Sequence, residues 1–223
     1  LQNEFIKRER IAKDLAKTQS LFTAALEQST AGIVIADAPD GTIRLANSAA
    51  LGIRGVSNQS LTKIPLDLHS HNWRTLHPDG RPCEPEDLPL ARAIRHGETP
   101  KNCEFIIRRE DGEQRWVLAS ASPVRDEQGE IIAGIVVFPD ITERKRAEEE
   151  LRFTQFAVDH AGETILWVDK DGRLLYVNNR ASEVLGYSRE ELLKMTAYDV
   201  DPDFHEKNRP KNWENIKQDG LCT

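Results

Sequence analysis

Two stretches of the chain decide its fold: Gly32-Ile33-Val34-Ile35-Ala36-Asp37-Ala38-Pro39-Asp40-Gly41-Thr42-Ile43-Arg44-Leu45-Ala46-Asn47, and its echo Ile165-Leu166-Trp167-Val168-Asp169…Asp171-Gly172…Val177-Asn178. In each, a β-branched or aromatic run meets an Asp-Gly turn and a second apolar run, the pattern of a β-hairpin. Each hairpin ends on an asparagine suited to cap a short helix, and each helix carries a Leu-Gly pair near its end (Leu51-Gly52, Leu185-Gly186), the first ending near Gly52 or Gly55. Helix, strand, turn, strand, Asn cap and Leu-Gly stop recur about 130 residues apart. That period implies a tandem pair of domains rather than a solenoid, whose repeats run 20–50 residues.

Outward from the first hairpin, residues 1–28 hold no Gly or Pro and predict a helix. Its apolar stripe is Ile11, Leu15, Thr18, Phe22 and Ala25, at heptad-like spacings. Such a helix is marginal alone and calls for a partner, most simply a second copy of itself. Downstream, 56–84 is polar and irregular. A helix is expected over 85–96, with Pro85 in its first turn, Glu86 and Asp87 at its positive end and Gly97 as its stop. Three strands follow over 103–109, 113–122 and 130–138. At Asp140-Ile141-Thr142 the pattern changes to a charged, Gly-free helix over 143–158, linking the two units. The second copy predicts helices over 180–185, 189–195 and 204–218 and stops before its last three strands, so residues 158–223 are expected to be the N-terminal part of a domain.

Composition excludes other classes. With 39% hydrophobic and 30% charged residues the chain is expected to be globular. Its longest apolar run, 131–138, is strand-sized and far short of the ~20 residues of a bilayer helix. A net charge of −7 argues against a dedicated nucleic-acid binder. Cys83, Cys103 and Cys222 make an odd count without CxxC spacing; this suits buried thiols in a reducing, cytoplasmic compartment. The first residues lack a Met and a signal-peptide core, which reads as an internal cut. No phosphate-cradling Gly loop, Ser-His-Asp order or His-Glu-x-x-His helix occurs, so this stretch is expected not to be an enzyme.

Several runs carry a family resemblance: Pro78-Asp79-Gly80-Arg81-Pro82, Glu86-Asp87-Leu88-Pro89-Leu90-Ala91-Arg92-Ala93, Arg115-Trp116-Val117, Ser122-Pro123-Val124-Arg125-Asp126, Leu185-Gly186-Tyr187-Ser188-Arg189-Glu190-Glu191-Leu192, and above all Asp140-Ile141-Thr142-Glu143-Arg144. With these the chain resembles PAS sensory domains of bacterial and archaeal signalling proteins over nearly its whole length. The resemblance implies an α+β fold: a five-stranded antiparallel sheet of order 2-1-5-4-3, short helices on one face, and flanking helices that form coiled coils in dimers. It divides the chain into a signalling helix (1–25), a complete PAS domain (26–142), a linker helix (143–157) and a truncated second PAS domain (158–223). It implies homodimers through 1–25 and 143–157. It also implies sensing or relay toward an output domain, a histidine kinase first and a diguanylate cyclase second, lying beyond residue 223. Asp140, Ile141 and Thr142 would couple the sheet to the linker helix.

Alternation along the strands places Phe105, Ile107, Val117, Ala119, Ala121, Gly134, Val136 and Phe138 on the helix-facing side. The small residues among them leave room for a ligand, with Arg92 or Arg95 as its charge partner; the alternative is that this face packs a filled core. In the second copy, Trp167 is expected to fill that space. The positions with which flavin-binding relatives grip their ring fall on Ile107, Val117 and Phe138, which disfavours flavin because the polar ring edge would be buried unpaired. His96, at the end of its helix, disfavours haem. His69, His71, His77 and Cys83 form a soft-ligand group whose spacing matches no recognised metal site; loop histidines packed on Trp73 are the simpler expectation.

Overall fold

The computed structural model describes residues 2–56, 69 and 73–200. It divides into two compact units, Leu1–Lys145 and Arg146–Thr223. In the first, helix α1 (Gln2–Glu27) leads into strands β1 (Gly32–Asp37) and β2 (Ile43–Ala46) and helix α2 (Ser48–Arg54). Strand β3 (Thr75–Leu76), a 3-10 turn (Pro85–Asp87) and helix α3 (Pro89–His96) follow, then strands β4 (Cys103–Arg108), β5 (Gln114–Arg125) and β6 (Ile131–Phe138). Helix α4 (Thr142–Asp159) begins in the first unit. The helix expected over 85–96 starts four residues late because Pro89 takes its first position. Leu88, preceding a proline, is held extended (φ −69, ψ 128), and that breaks the run.

The sheet is antiparallel, of order β2-β1-β6-β5-β4-β3. It has six strands and not the five expected. The extra one is the two-residue β3, paired with β4 at the edge as Thr75 opposite Ile107 and Leu76 opposite Ile106. The other five keep the expected order. One sheet face packs against α2 and α3, with Val34, Ala36, Phe105, Ile107, Val117, Ala119, Ala121, Val136 and Phe138 in the core. Flanking helices are present but coiled coils are not shown. The α1 stripe lies in the open, with Ile11 57%, Leu15 66% and Phe22 52% exposed.

Asn47 explains why the hairpin, α1 and α2 meet as they do. Its side chain is fully buried. Its Oδ1 accepts from Ala50 N (2.9 Å), capping α2, and from Ile33 N (2.8 Å) in β1. Its Nδ2 donates to the carbonyls of Leu26 and Ala31, both at 2.9 Å. Every hydrogen-bonding group of the amide is used. One residue therefore joins the end of α1, the start of β1 and the first turn of α2.

The second unit repeats the device. Strands β7 (Leu166–Val168) and β8 (Leu174–Val177) form a two-stranded sheet, followed by helices α5 (Asn179–Leu185), α6 (Arg189–Leu192) and α7 (Ala197–Val200). Asn178 accepts from Ile165 N and Ala181 N and donates to the carbonyls of Val158 and Glu163. Its core is small: Leu174, Val177, Ala181 and Leu192. Trp167 does not fill it. The indole is 58% exposed and lies 4.7 Å from the Tyr176 ring, because Leu166 and Val168, its neighbours in the strand, take the inward positions. The helix expected over 204–218, and Cys222, lie outside the described residues.

Candidate functional site

Between the sheet and helices α2 and α3 lies a void of about 30 Å³. Phe105, Ile107, Val117, Ala119, Val136 and Phe138 line it from the sheet, and Leu88, Pro89 and Leu90 from the start of α3. Two more of the sequence-derived positions do not reach it. Ala121 is buried but not in the lining. Gly134 leaves room, but for protein: a Cβ there would stand 2.7 Å from Ile94 Cγ1 and 2.9 Å from Leu90 Cδ1, so the missing side chain lets α3 lie against β6.

The charge partner is not where the sequence placed it. Arg92 pairs with Glu98 (2.5 Å) and Arg95 with Glu86 (2.9 Å), both outside the lining. Arg54, the last residue of α2, lines the void instead and is 8% exposed. Its guanidinium carbon lies 4.2 Å from the centre of the Trp73 ring and 5.2 Å from that of Phe138, close enough for cation–π attraction to both. Nη1 donates to the Trp73 carbonyl across 3.5 Å. Burial pushes its pKa down to about 9, so it stays protonated at neutral pH. The sequence reading assigns this residue no role. The available signal was a basic residue beside a Gly stop with no acid one turn back, where Ala50 and Leu51 stand.

Ile107, Val117 and Phe138 lie in the lining and offer no hydrogen bond to a polar ring edge. His96 is exposed at the end of α3 and does not line the void. Of the soft-ligand group, His69 stacks on Trp73 at 4.1 Å and His77 Nε2 is 3.0 Å from Asp87 Oδ2. Burial pushes the Cys83 thiol up to about 12, which keeps it protonated. His71 lies outside the described residues.

A second feature begins on the same strand. Trp116 neighbours Val117 of the lining, and both of its backbone groups are held by residues 140–142. Its N–H donates to Thr142 Oγ1 (2.9 Å), and its carbonyl accepts from Ile141 N (2.8 Å). Asp140 Oδ1 accepts from Thr142 N (2.8 Å), satisfying a free donor at the start of α4, while Oδ2 meets Arg115 Nη1 at 3.3 Å. Asp140 therefore does the capping work, and the Thr142 hydroxyl is turned to the sheet. Lys145 adds an ion pair to Glu104 in β4 (2.8 Å) and stands 5.1 Å from the Trp116 ring. Ile141 and Thr142 are buried. The root of α4 is thus bolted to the strand that walls the void.

A family model described as PAS fold matches residues 26–146, and a second PAS fold model matches 152–217. The chain belongs to the PAS fold family. Its two PAS stretches form a tandem sensory region. The biofilm dispersion protein BdlA of Pseudomonas aeruginosa is 30% identical over 171 residues, which cover 76% of this chain and 38% of that protein. The chain thus spans well under half the length of this curated relative. Among solved structures, the PAS domain of an HTR-like protein from Haloarcula marismortui is 24% identical with a TM-score of 0.44, over 60% of this chain and 99% of that one. An RNA-binding light-oxygen-voltage receptor is 25% identical with a TM-score of 0.43, over 62% of this chain and 37% of that one. Among the described residues, no helix is long and apolar enough to cross a membrane.

Proposed function

We propose that this chain is a cytoplasmic sensory input region: the first PAS unit responds to a small ligand in its cavity and passes the change through residues 140–142 into α4, toward an output domain. The observation that carries this is the double backbone grip on Trp116, one residue from the cavity wall at Val117. Displacement of β5 by a ligand moves the root of the helix directly. The output we propose is a histidine kinase, the partner that sensory domains of this kind most often serve; a diguanylate cyclase is the alternative. The exposed apolar residues of α1 and of α4 (Leu151, Phe153, Phe156) support assembly as a homodimer through these two helices.

A second reading, a relay without a ligand, is favoured by the small size of the void. Joining the chain in register to a histidine-kinase transmitter tests the relay in either form. Asp140→Ala is expected to change phosphorylation output strongly while leaving the first unit folded, its stability lowered by about 1 kcal/mol for the lost cap. Output equal to that of the unsubstituted fusion refutes the relay.

A further inference from the structure

Among the described residues, Arg54 is a buried cation without an anion. Among the described residues no carboxylate pairs with it, whereas Arg109 has Glu113, Arg115 has Glu113 and Asp140, and Arg95 has Glu86. Aromatic faces and one long carbonyl contact are what meet its charge. Nor is the guanidinium the sole polar group left over. Among the described residues, Arg54 Nε, Trp73 Nε1 and Thr75 Oγ1 are all buried without a hydrogen-bond partner, and all three residues line the same void. Buried polar atoms are rarely left so, and three around one cavity describe a missing partner.

The chemistry of that partner follows from the atoms. A guanidinium N–H and an indole N–H only donate, and a hydroxyl can. A group that answers all three is an acceptor, and the unopposed positive charge calls for an anion. One cation matches a monoanion better than a dianion. The remaining lining, including Phe105, Val117, Ala119 and Leu90, is apolar, so the rest of the ligand is hydrocarbon. A void of about 30 Å³ is only some two to three times what one water requires, so the molecule is short.

We infer that the first PAS cavity is a carboxylate site: it takes a short-chain monocarboxylate, with its head on Arg54, Trp73 and Thr75 and its tail toward Val117 and Ala119. This rests on the ligand-sensing reading of the same cavity and names the ligand class.

The test is a thermal-shift and calorimetric titration of the 223-residue chain with formate, acetate, acetamide and chloride at constant ionic strength. Acetate is expected to raise the unfolding midpoint of the first unit saturably and to change tryptophan fluorescence; acetamide and chloride are not. Arg54→Met is expected to lose acetate affinity by tenfold or more and to fold with an equal or higher midpoint, since it removes an unpaired buried charge. Thr75→Val is expected to weaken acetate several-fold and carries the test should the first variant fail to fold. Binding of acetamide as tightly as acetate would leave a ligand cavity that is not an anion site and overturns the inference. A response to chloride equal to that for acetate, or acetate affinity unchanged by both substitutions, overturns it too. No response to either carboxylate overturns the inference and leaves the ligand-sensing reading to ligands of another class.

Discussion

Asn47→Ala removes four hydrogen bonds and no apolar contact of consequence, so its cost can be worked from the structure. Two of the four groups it leaves, Ile33 N–H and Ala50 N–H, lie in buried bonds; the other two, the Leu26 and Ala31 carbonyls, are in part-buried ones and can turn to water. A stranded buried donor costs about 1–3 kcal/mol. Loss of an asparagine helix cap on its own costs ~1 kcal/mol. The expected destabilisation of the first unit is therefore about 3–5 kcal/mol, well above that of a simple cap. Asn47→Asp keeps both acceptor bonds but turns a second oxygen toward two carbonyls, and a loss of comparable size is expected. The assay is urea unfolding followed at residues of β1 and β6 by amide exchange, which separates the first unit from the second. A cost near 1 kcal/mol for both variants would show that Asn47 merely caps α2 and does not join α1 to the sheet.

Further expectations follow from single contacts. Gly134→Ala should lower the unfolding midpoint, by about 1–3 kcal/mol of stability, because its methyl meets Ile94 and Leu90 below 3.0 Å. Differential scanning calorimetry measures this, and an unchanged midpoint means α3 is free to lift. Glu27 accepts from the hydroxyl and then the N–H of Ser48, and these bonds hold its pKa below the ordinary glutamate value. A carboxylate with a depressed folded pKa contributes stability that is fully present above its unfolded pKa and is lost as pH falls through the folded one. Midpoints measured from pH 6 to pH 3 should therefore fall less steeply for Glu27→Gln than for the parent chain, with the difference confined to the acid end.

Much of the architecture could be read from residue order, because alternation and turn chemistry are local. The Asp-Gly turns, the Asn caps and the β-branched runs each specify a hairpin without reference to anything distant. Period-two alternation put Phe105, Ile107, Val117, Ala119, Val136 and Phe138 on one face, and the cavity has them. What escaped depends on three-dimensional packing. Gly134 looked like open space because the sequence does not show that Leu90 and Ile94 arrive to occupy it. Arg92 and Arg95 looked like ligand partners because their acids, Glu98 and Glu86, are six and nine residues away rather than at helical spacing. Arg54 does not stand out in the sequence, because only the approach of Trp73, 19 residues on, makes it a buried charge. Asn47 was recognised as a cap, while its bonds to Leu26, Ala31 and Ile33 join segments 14–21 residues apart that no window spans. The sixth strand has two residues, too few for any periodicity to register.

The central claim is that a change at the cavity wall reaches the root of α4 through Trp116. Filling the void from the far side, by Ala119→Leu, tests it without a ligand. Ala119 is three residues from Trp116 and touches none of residues 140–142 in the hydrogen-bond network. Amide exchange of the 223-residue chain reads the result at Ile141, whose N–H is held by the Trp116 carbonyl, and at Lys145 in the first turn of α4. The account expects exchange at both to change by about tenfold or more, an opening shift of roughly 1.4 kcal/mol. Changes confined to β4, β5 and α3, with Ile141 and Lys145 exchanging as in the parent chain, would contradict it.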